Sequence, residues 1–351
     1  MNIKYSIIIA AYNVDKYIKK CVNSILNQSF RNIEIIIVDD ASSDNTLSVI
    51  RRLAKKDKRI KVISSQSNMG SSWARNIGIK AASGEYCFII DADDWIDREA
   101  IKNIDGHILN FGKVDVIKFR LIYEPLGQKS EKYKICNRLL SDSELKQLRK
   151  NLLLTNKYNN LANQVFRRSL YKIHDGGPRI DFGEDLVTNL SIFEKAKNVL
   201  CINDALYHYR RNNNGSTTSN VSLKKISSYI SDNIKVCKIK LRYARKFGLN
   251  KTQCRQIKNR PLVFACNQIG RYISFSKVSP SELERCIEDS GLYGFIATDD
   301  FTNVGGVDGI IYKSILKRDF NLLKKYRIII TIRLFFKKIK RRFNANEKSN
   351  L

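Results

Sequence analysis

Short apolar runs alternate with segments of helical period over the first hundred residues. Tyr5 to Ala11, Ile33 to Val38 and Tyr86 to Ile90 are continuous and bounded by polar residues, the pattern of strands buried on both faces. Ile60 to Ser64 reads as a further strand. Between the first two, Tyr17, Ile18, Cys21, Val22, Ile25 and Leu26 recur at helical spacing after Asp15, a candidate N-cap, leaving Lys19, Lys20 and Asn23 outside. Asp44 can cap a helix from about Thr46 to Lys56. The repetition predicts an α/β fold with an open sheet, in which ligands gather beyond the carboxyl ends of the strands. The first strand delivers Ala10, Ala11 and Tyr12 there, the second Asp39 and Asp40, the fourth Asp91, Ala92 and Asp93.

Carboxylates crowded at a strand end repel one another unless something offsets their charge, and hard divalent cations prefer oxygen ligands. Mg²⁺ or Mn²⁺ carrying a phosphate suits Asp91 and Asp93; the alternative is a set of helix caps, with Asp97 before a helix starting near Arg98. Neither G-x-G-x-x-G nor a P-loop occurs, so a phosphate would be held another way. Arg75 falls in the first turns of a helix starting near Ser72 and faces the same edge, or else makes a surface ion pair.

Farther along, Val114 to Tyr123 reads as a strand, Glu124 to Asn137 as a polar excursion or hairpin, and Leu145 to Leu154 as a helix. In Arg179 to Leu186, Gly183 lets the backbone approach closely and Glu184-Asp185 opens a helix with an apolar face of Leu186, Val187, Leu190 and Phe193. The helix dipole alone favours acids there, so this pair is either functional or a first-turn preference. Leu206 to Arg210 holds His208, either structural or a contact for metal or diphosphate, and a polar loop follows to Ser219. Arg210 and Arg211 could neutralise diphosphate or lie on the surface. Ile226 to Phe247 and Gln253 to Ile273 are helical, interrupted at Pro261.

Charge changes the picture at the C-terminus. From 324 to 343 there are nine basic residues and no acid, while Ile328, Ile332, Phe335, Phe336, Ile339 and Phe343 share one third of a helical wheel. A helix lying on an anionic membrane fits; docking on the protein body or a nucleic-acid patch are the alternatives. The whole chain of 351 residues, 43% hydrophobic, carries 63 Lys+Arg against 34 Asp+Glu for a net charge of +29, which points to a polyanionic partner. Eight scattered cysteines form no C-x-x-C pair. Without a secretory leader pattern or an apolar run of transmembrane length, the expected location is cytoplasmic, peripheral on the inner face of the cell membrane.

Ser6 to Asn13, Ser24 to Ser29, Ile35 to Asp44, Ala74-Arg75-Asn76 and Gly84 to Trp95, in this order and spacing, resemble the nucleotide-binding half of the family 2 glycosyltransferases. The resemblance implies a GT-A fold and inverting transfer from a nucleotide-diphosphate sugar, with a UDP-sugar favoured. It implies base contacts at Ala10, Tyr12 and Asp40, a pocket-lining Arg75, and a D-x-D in which Asp93 touches the metal and Asp91 the ribose or metal-bound water, Ala92 lying between them. The later Phe-Gly-Glu-Asp is similar to the family's catalytic stretch, which makes Asp185 the base, with Glu184 orienting the acceptor or the chain. His208 and Arg210 then fall on the acceptor or diphosphate side. Where the family reads Trp-Asn-Lys-Leu-Tyr, this chain has Leu161 to Phe166 without that Trp and Lys, so no donor contact is assigned there.

The expected domains are 1–220, with a nucleotide-binding half over 1–100 and an acceptor half over 101–220, then a helical extension over 221–322 and a basic helix and tail over 323–351. The expected acceptor is a glycan or lipid-linked glycan of surface polysaccharide or lipopolysaccharide. Absence of Q-x-x-R-W argues against a processive synthase. A sugar nucleotidyltransferase and a basic nucleic-acid-binding protein are the alternative functions.

Overall fold

The computed structural model describes residues 4–130, 137–155, 159–171, 180–210, 222–277, 279–297 and 309–333. The chain divides into two units, 1–213 and 214–351.

In the first unit the apolar runs form strands as expected: β1 (Tyr5–Ala11), α1 (Asp15–Leu26), β2 (Ile33–Asp39), α2 (Thr46–Ala54), β3 (Ile60–Ser64), α3 (Ser71–Ala81) and β4 (Tyr86–Asp91) follow in turn. Next come β5 (Trp95–Ile96), α4 (Ala100–Phe111), β6 (Val116–Glu124), β7 (Gln128–Lys129), β8 (Arg138–Leu139), α5 (Asp142–Leu154), β9 (Gln164–Arg167), α6 (Glu184–Lys195) and β10 (Val199–Arg210). They build one mixed ten-stranded sheet in the order β3-β2-β1-β4-β9-β6-β10-β5, with β7 on β6 and β8 on β10. β1 to β4 are parallel, and β9 runs antiparallel to both β4 and β6. β10 is parallel to β6, so β4, β6 and β10 all point their carboxyl ends to one edge.

Burial explains the sheet. Ile7, Ile9, Ile35, Ile37, Phe88 and Ile90 are wholly enclosed on one face and Ile8, Ile36 and Ile89 are buried on the other, as strands covered on both faces require. α3 packs directly on β1 because Gly78 has no side chain; a Cβ there would sit 2.5 Å from Ile8 Cγ2. At the amino-terminal edge a buried acid stitches four segments together. Glu34 accepts from Ser6 Oγ at 2.6 Å, Lys61 Nζ at 2.6 Å and Ser83 N at 2.7 Å.

Helix starts depart from expectation in two places. Asp15 lies in the first turn of α1 rather than capping it, and its amide donates to Asp44 Oδ2 at 3.1 Å. Asp44 Oδ1 accepts from Thr46 N at 2.9 Å, which ties the starts of α1 and α2 together. α4 starts at Ala100, two residues after Arg98, and the Asp97 carboxylate meets His208 Nε2 at 2.8 Å.

The second unit contains α7 (Leu223–Lys246), α8 (Lys251–Lys258), α9 (Arg260–Phe275), α10 (Pro280–Asp289), α11 (Leu292–Ile296), α12 (Gly309–Lys317) and α13 (Asn321–Lys325) around their own core of Ile230, Leu262, Ile269, Leu283, Ile287 and Leu323. Pro261 stands in the first turn of α9, where its missing N–H costs nothing. Residues 327–333 are helical with Ile328, Ile329 and Ile332 exposed. The remainder of the basic segment, 334–343, lies outside the described residues. Among the described residues no helix is long and apolar enough to cross a membrane.

Candidate functional site

Arg75 is the centre of the carboxyl-terminal edge. Nη1 donates to Asp185 Oδ1 at 2.6 Å and to Glu184 Oε1 at 3.2 Å, while Nη2 donates to Asp91 Oδ1 at 3.0 Å. One guanidinium from α3 therefore joins the end of β4 to the first turn of α6. The sequence alternative of a surface ion pair does not hold, since the Arg75 side chain is only 13% exposed. Burial opposes its charge, but Asp185, Asp91 and Glu184 outweigh burial and raise its pKa, so it stays protonated.

Local geometry puts each partner in place. Gly183 adopts φ +97°, a left-handed conformation that starts α6 abruptly on Glu184 and Asp185. Ser71 Oγ adds a bond to Glu184 Oε1 at 3.2 Å. Burial, opposed by Arg75 and reinforced by the charges of Glu184 and Asp91, pushes the Asp185 carboxyl up to about 7.

Asp40 controls where α3 begins. Its two oxygens accept from Met69 N at 2.8 Å and Gly70 N at 2.7 Å, so the carboxylate that the resemblance links to a base is committed to the turn before Arg75. Ala10 is the next-to-last residue of β1 at this edge, Tyr12 beyond the strand is 48% exposed, and Ala92 is buried.

The turn after β4 is held by Tyr207, which sequence reasoning did not single out, and by Arg210, which it did. The Tyr207 hydroxyl accepts from Asp91 N at 3.1 Å and donates to Asp94 Oδ2 at 2.7 Å. Arg210 N donates to Asp94 Oδ1 at 2.7 Å, and Arg210 Nε donates to Asp93 O at 3.0 Å. Burial and the charge of Asp91 push Asp94 up to about 8 in spite of the Arg210 amide. His208 faces away from this turn: its ring nitrogens lie 2.8 Å from Glu124 and 2.8 Å from Asp97, and the ring stacks on Trp95 at 5.0 Å. β10 is bulged between Cys201 and Tyr207 and its burial does not alternate, so no period-two pattern in the sequence marked Tyr207 apart from His208.

Among the described residues, no group of three or more His, Cys, Asp or Glu could hold a metal ion. Burial is the first cause of the Asp94 shift and Arg75 already engages Asp91, so the fit to a divalent cation rests on the carboxylate oxygens of Asp91 and Asp93 themselves, with further oxygens coming from a phosphate ligand. Arg179, Arg211 and the loop at 212–219 lie outside the described residues.

The family model described as "Glycosyl transferase family 2" matches residues 6–173. The chain is similar to the uncharacterized glycosyltransferase EpsJ of Bacillus subtilis, with 33% identity over 60% of this chain and 62% of that one. It is also similar to the poly(ribitol-phosphate) beta-N-acetylglucosaminyltransferase TarS of Staphylococcus aureus, with 27% identity over 65% of this chain and 38% of that one. The chain thus spans less than two thirds of either relative. A crystal structure of TarS 1–349 with UDP-GlcNAc shares the fold at a TM-score of 0.59, with 20% identity over 93% of this chain and 90% of that one.

Proposed function

Residues 6–173 of this chain belong to glycosyl transferase family 2, and from that premise we propose that the protein moves a sugar, with inversion, from a UDP-sugar to a hydroxyl of a glycan or lipid-linked glycan acceptor in surface-polysaccharide synthesis. The observation that carries this reading is the gathering of Asp91, Glu184 and Asp185 on Arg75. It joins the strand end of a nucleotide-binding sheet to an acid suited to proton transfer. The UDP-GlcNAc complex of the similar TarS fold supports the donor class. The family match favours glycosyl over nucleotidyl transfer.

In this reading the nucleotide lies along Ala10, Tyr12 and Ala92, in a pocket whose wall Asp40 shapes by fixing the turn before α3. Asp93 and Asp91 would hold Mn²⁺ or Mg²⁺, which when bound offsets charge on the departing diphosphate. Asp185 accepts the proton of the acceptor hydroxyl as that oxygen attacks the anomeric carbon, and a pKa near the working pH favours such a base. Arg75 orients Asp185, and Glu184 shares the same nitrogen, which limits how far the pair can turn. Arg210 adds positive charge on the diphosphate side. His208 holds Trp95 and the end of β10 in position through Glu124 and Asp97. The exposed Ile328, Ile329 and Ile332 support peripheral binding to the inner face of the cell membrane.

The test is sugar-nucleotide hydrolysis or transfer in wild type, Asp93→Ala and Asp185→Asn, with and without EDTA. Both variants should lose at least about a hundredfold in kcat. Turnover at the wild-type rate in both would overturn the site assignment.

A further inference from the structure

A groove of about 490 Å³ runs along the outer face of α1, lined by Lys16, Lys19, Lys20, Asn23, Asn27 and Trp95. We infer that it is a subsite for the phosphate groups of an anionic acceptor glycan, which rests on the acceptor reading above and names its chemistry.

Three observations carry the inference. Lys16, Lys19 and Lys20 share one helix face at i, i+3 and i+4, where like charges repel. No carboxylate lines the groove, and none of the three pairs with an acid among the described residues. The helix gains nothing from placing these charges together, which leaves an exposed cationic face open to an anionic ligand.

The second observation is a meeting of two cations on one ring. Lys20 Nζ stands 3.0 Å from the Trp95 ring centroid and the Arg210 guanidinium 5.0 Å from it. Burial and the Arg210 charge lower the Lys20 pKa, with Glu124 opposing them. A phosphate between these groups would relieve that repulsion.

The third is position. Trp95 follows Asp93 by two residues, and Arg210 donates to Asp93 O at 3.0 Å, so the groove adjoins the turn proposed to hold the donor's diphosphate. Its volume suits a sugar–phosphate unit, and the Asn23 and Asn27 amides can donate to phosphate or hydroxyl oxygens. The groove is shallow and open, and it is the amide donors beside the lysines that favour a discrete anionic chain over a lipid surface, a preference that binding to vesicles tests.

The experiment measures binding of the full chain to poly(glycerol phosphate), to neutral dextran and to phosphatidylglycerol vesicles. It compares wild type with Lys16→Ala/Lys19→Ala and with the control Lys251→Ala/Lys313→Ala. Wild type should bind the phosphate polymer and not dextran; the groove variant should lose about tenfold in affinity and show a shallower salt dependence, with the control within about twofold of wild type. Donor hydrolysis should be the same in wild type and the groove variant. Polymer binding unchanged in the groove variant, or reduced as much in the control, would overturn the inference. So would loss of vesicle binding alone, which would make this face a membrane contact. Absence of donor turnover in wild type, with groove-dependent polymer binding intact, would count against the proposed reaction while supporting the subsite.

Discussion

Arg75 Nη1 lies 2.6 Å from Asp185 Oδ1, so a helix that follows β3 fixes a carboxylate 110 residues later in the chain. The same guanidinium reaches Asp91, and the proposed donor and acceptor sides therefore share one charge balance.

Replacing Arg75 with Met leaves three acids facing one another. The loss of stability should be about 3 kcal/mol, the low end for breaking a buried pair because the Asp185 side chain is 33% exposed. Urea denaturation of the variant checks this. Glycosyl transfer should fall with it, since Asp185 loses the group that orients it.

The proposed base sets a pH dependence. With Asp185 pushed up to about 7, activity should rise with pH through that region instead of levelling off near 4. Arg75→Met removes the charge that draws Asp185 down, so its acidic limb should move to higher pH. A kcat/KM profile from pH 5 to 9 measures both.

Tyr207→Phe removes the hydroxyl that serves Asp91 N and Asp94 while keeping the ring in the core. It should cost about 1–3 kcal/mol, because a backbone donor loses its partner. Weaker activation by Mn²⁺ should accompany it. Thermal unfolding and metal titration of activity separate the two effects.

Glu34 gives the fold an acid-sensitive stitch. Burial alone would raise its pKa, but bonds from Lys61, Ser6 and Ser83 outweigh burial and lower it from 4.5 to about 2. A folded-state value below the unfolded one stabilises the protein fully above pH 4.5, and that stabilisation is lost as pH falls towards 2. The difference corresponds to about 3 kcal/mol. Glu34→Gln should remove this part of the pH dependence when denaturation is compared at pH 6 and pH 3.

The strands β1, β2 and β4 were readable because fully buried strands impose uninterrupted apolar runs, and the ends of β2 and β4 named the acids of the edge. Asp91 and Asp185 could be listed separately, but nothing local in the sequence says that Arg75 holds both. The partners of His208 were hidden for the same reason: Glu124 and Asp97 come from distant segments and meet only through the pairing of β10 with β6 and β5. Asp97 looked like a helix cap because a cap and a histidine partner call for the same residue type. Tyr207 was overlooked among aromatics whose hydroxyls carry no sequence mark of the bonds they make.

β9 has a consequence for anyone dividing this protein. It bonds to β4 on one side and β6 on the other, so a fragment ending near residue 100 would leave the backbone of β4 raw along its outer margin. Such a margin invites another copy to add its own strand. A fragment of residues 1–100 should therefore aggregate when expressed alone, and recombining the two sides of the sheet between relatives requires keeping β9 with both.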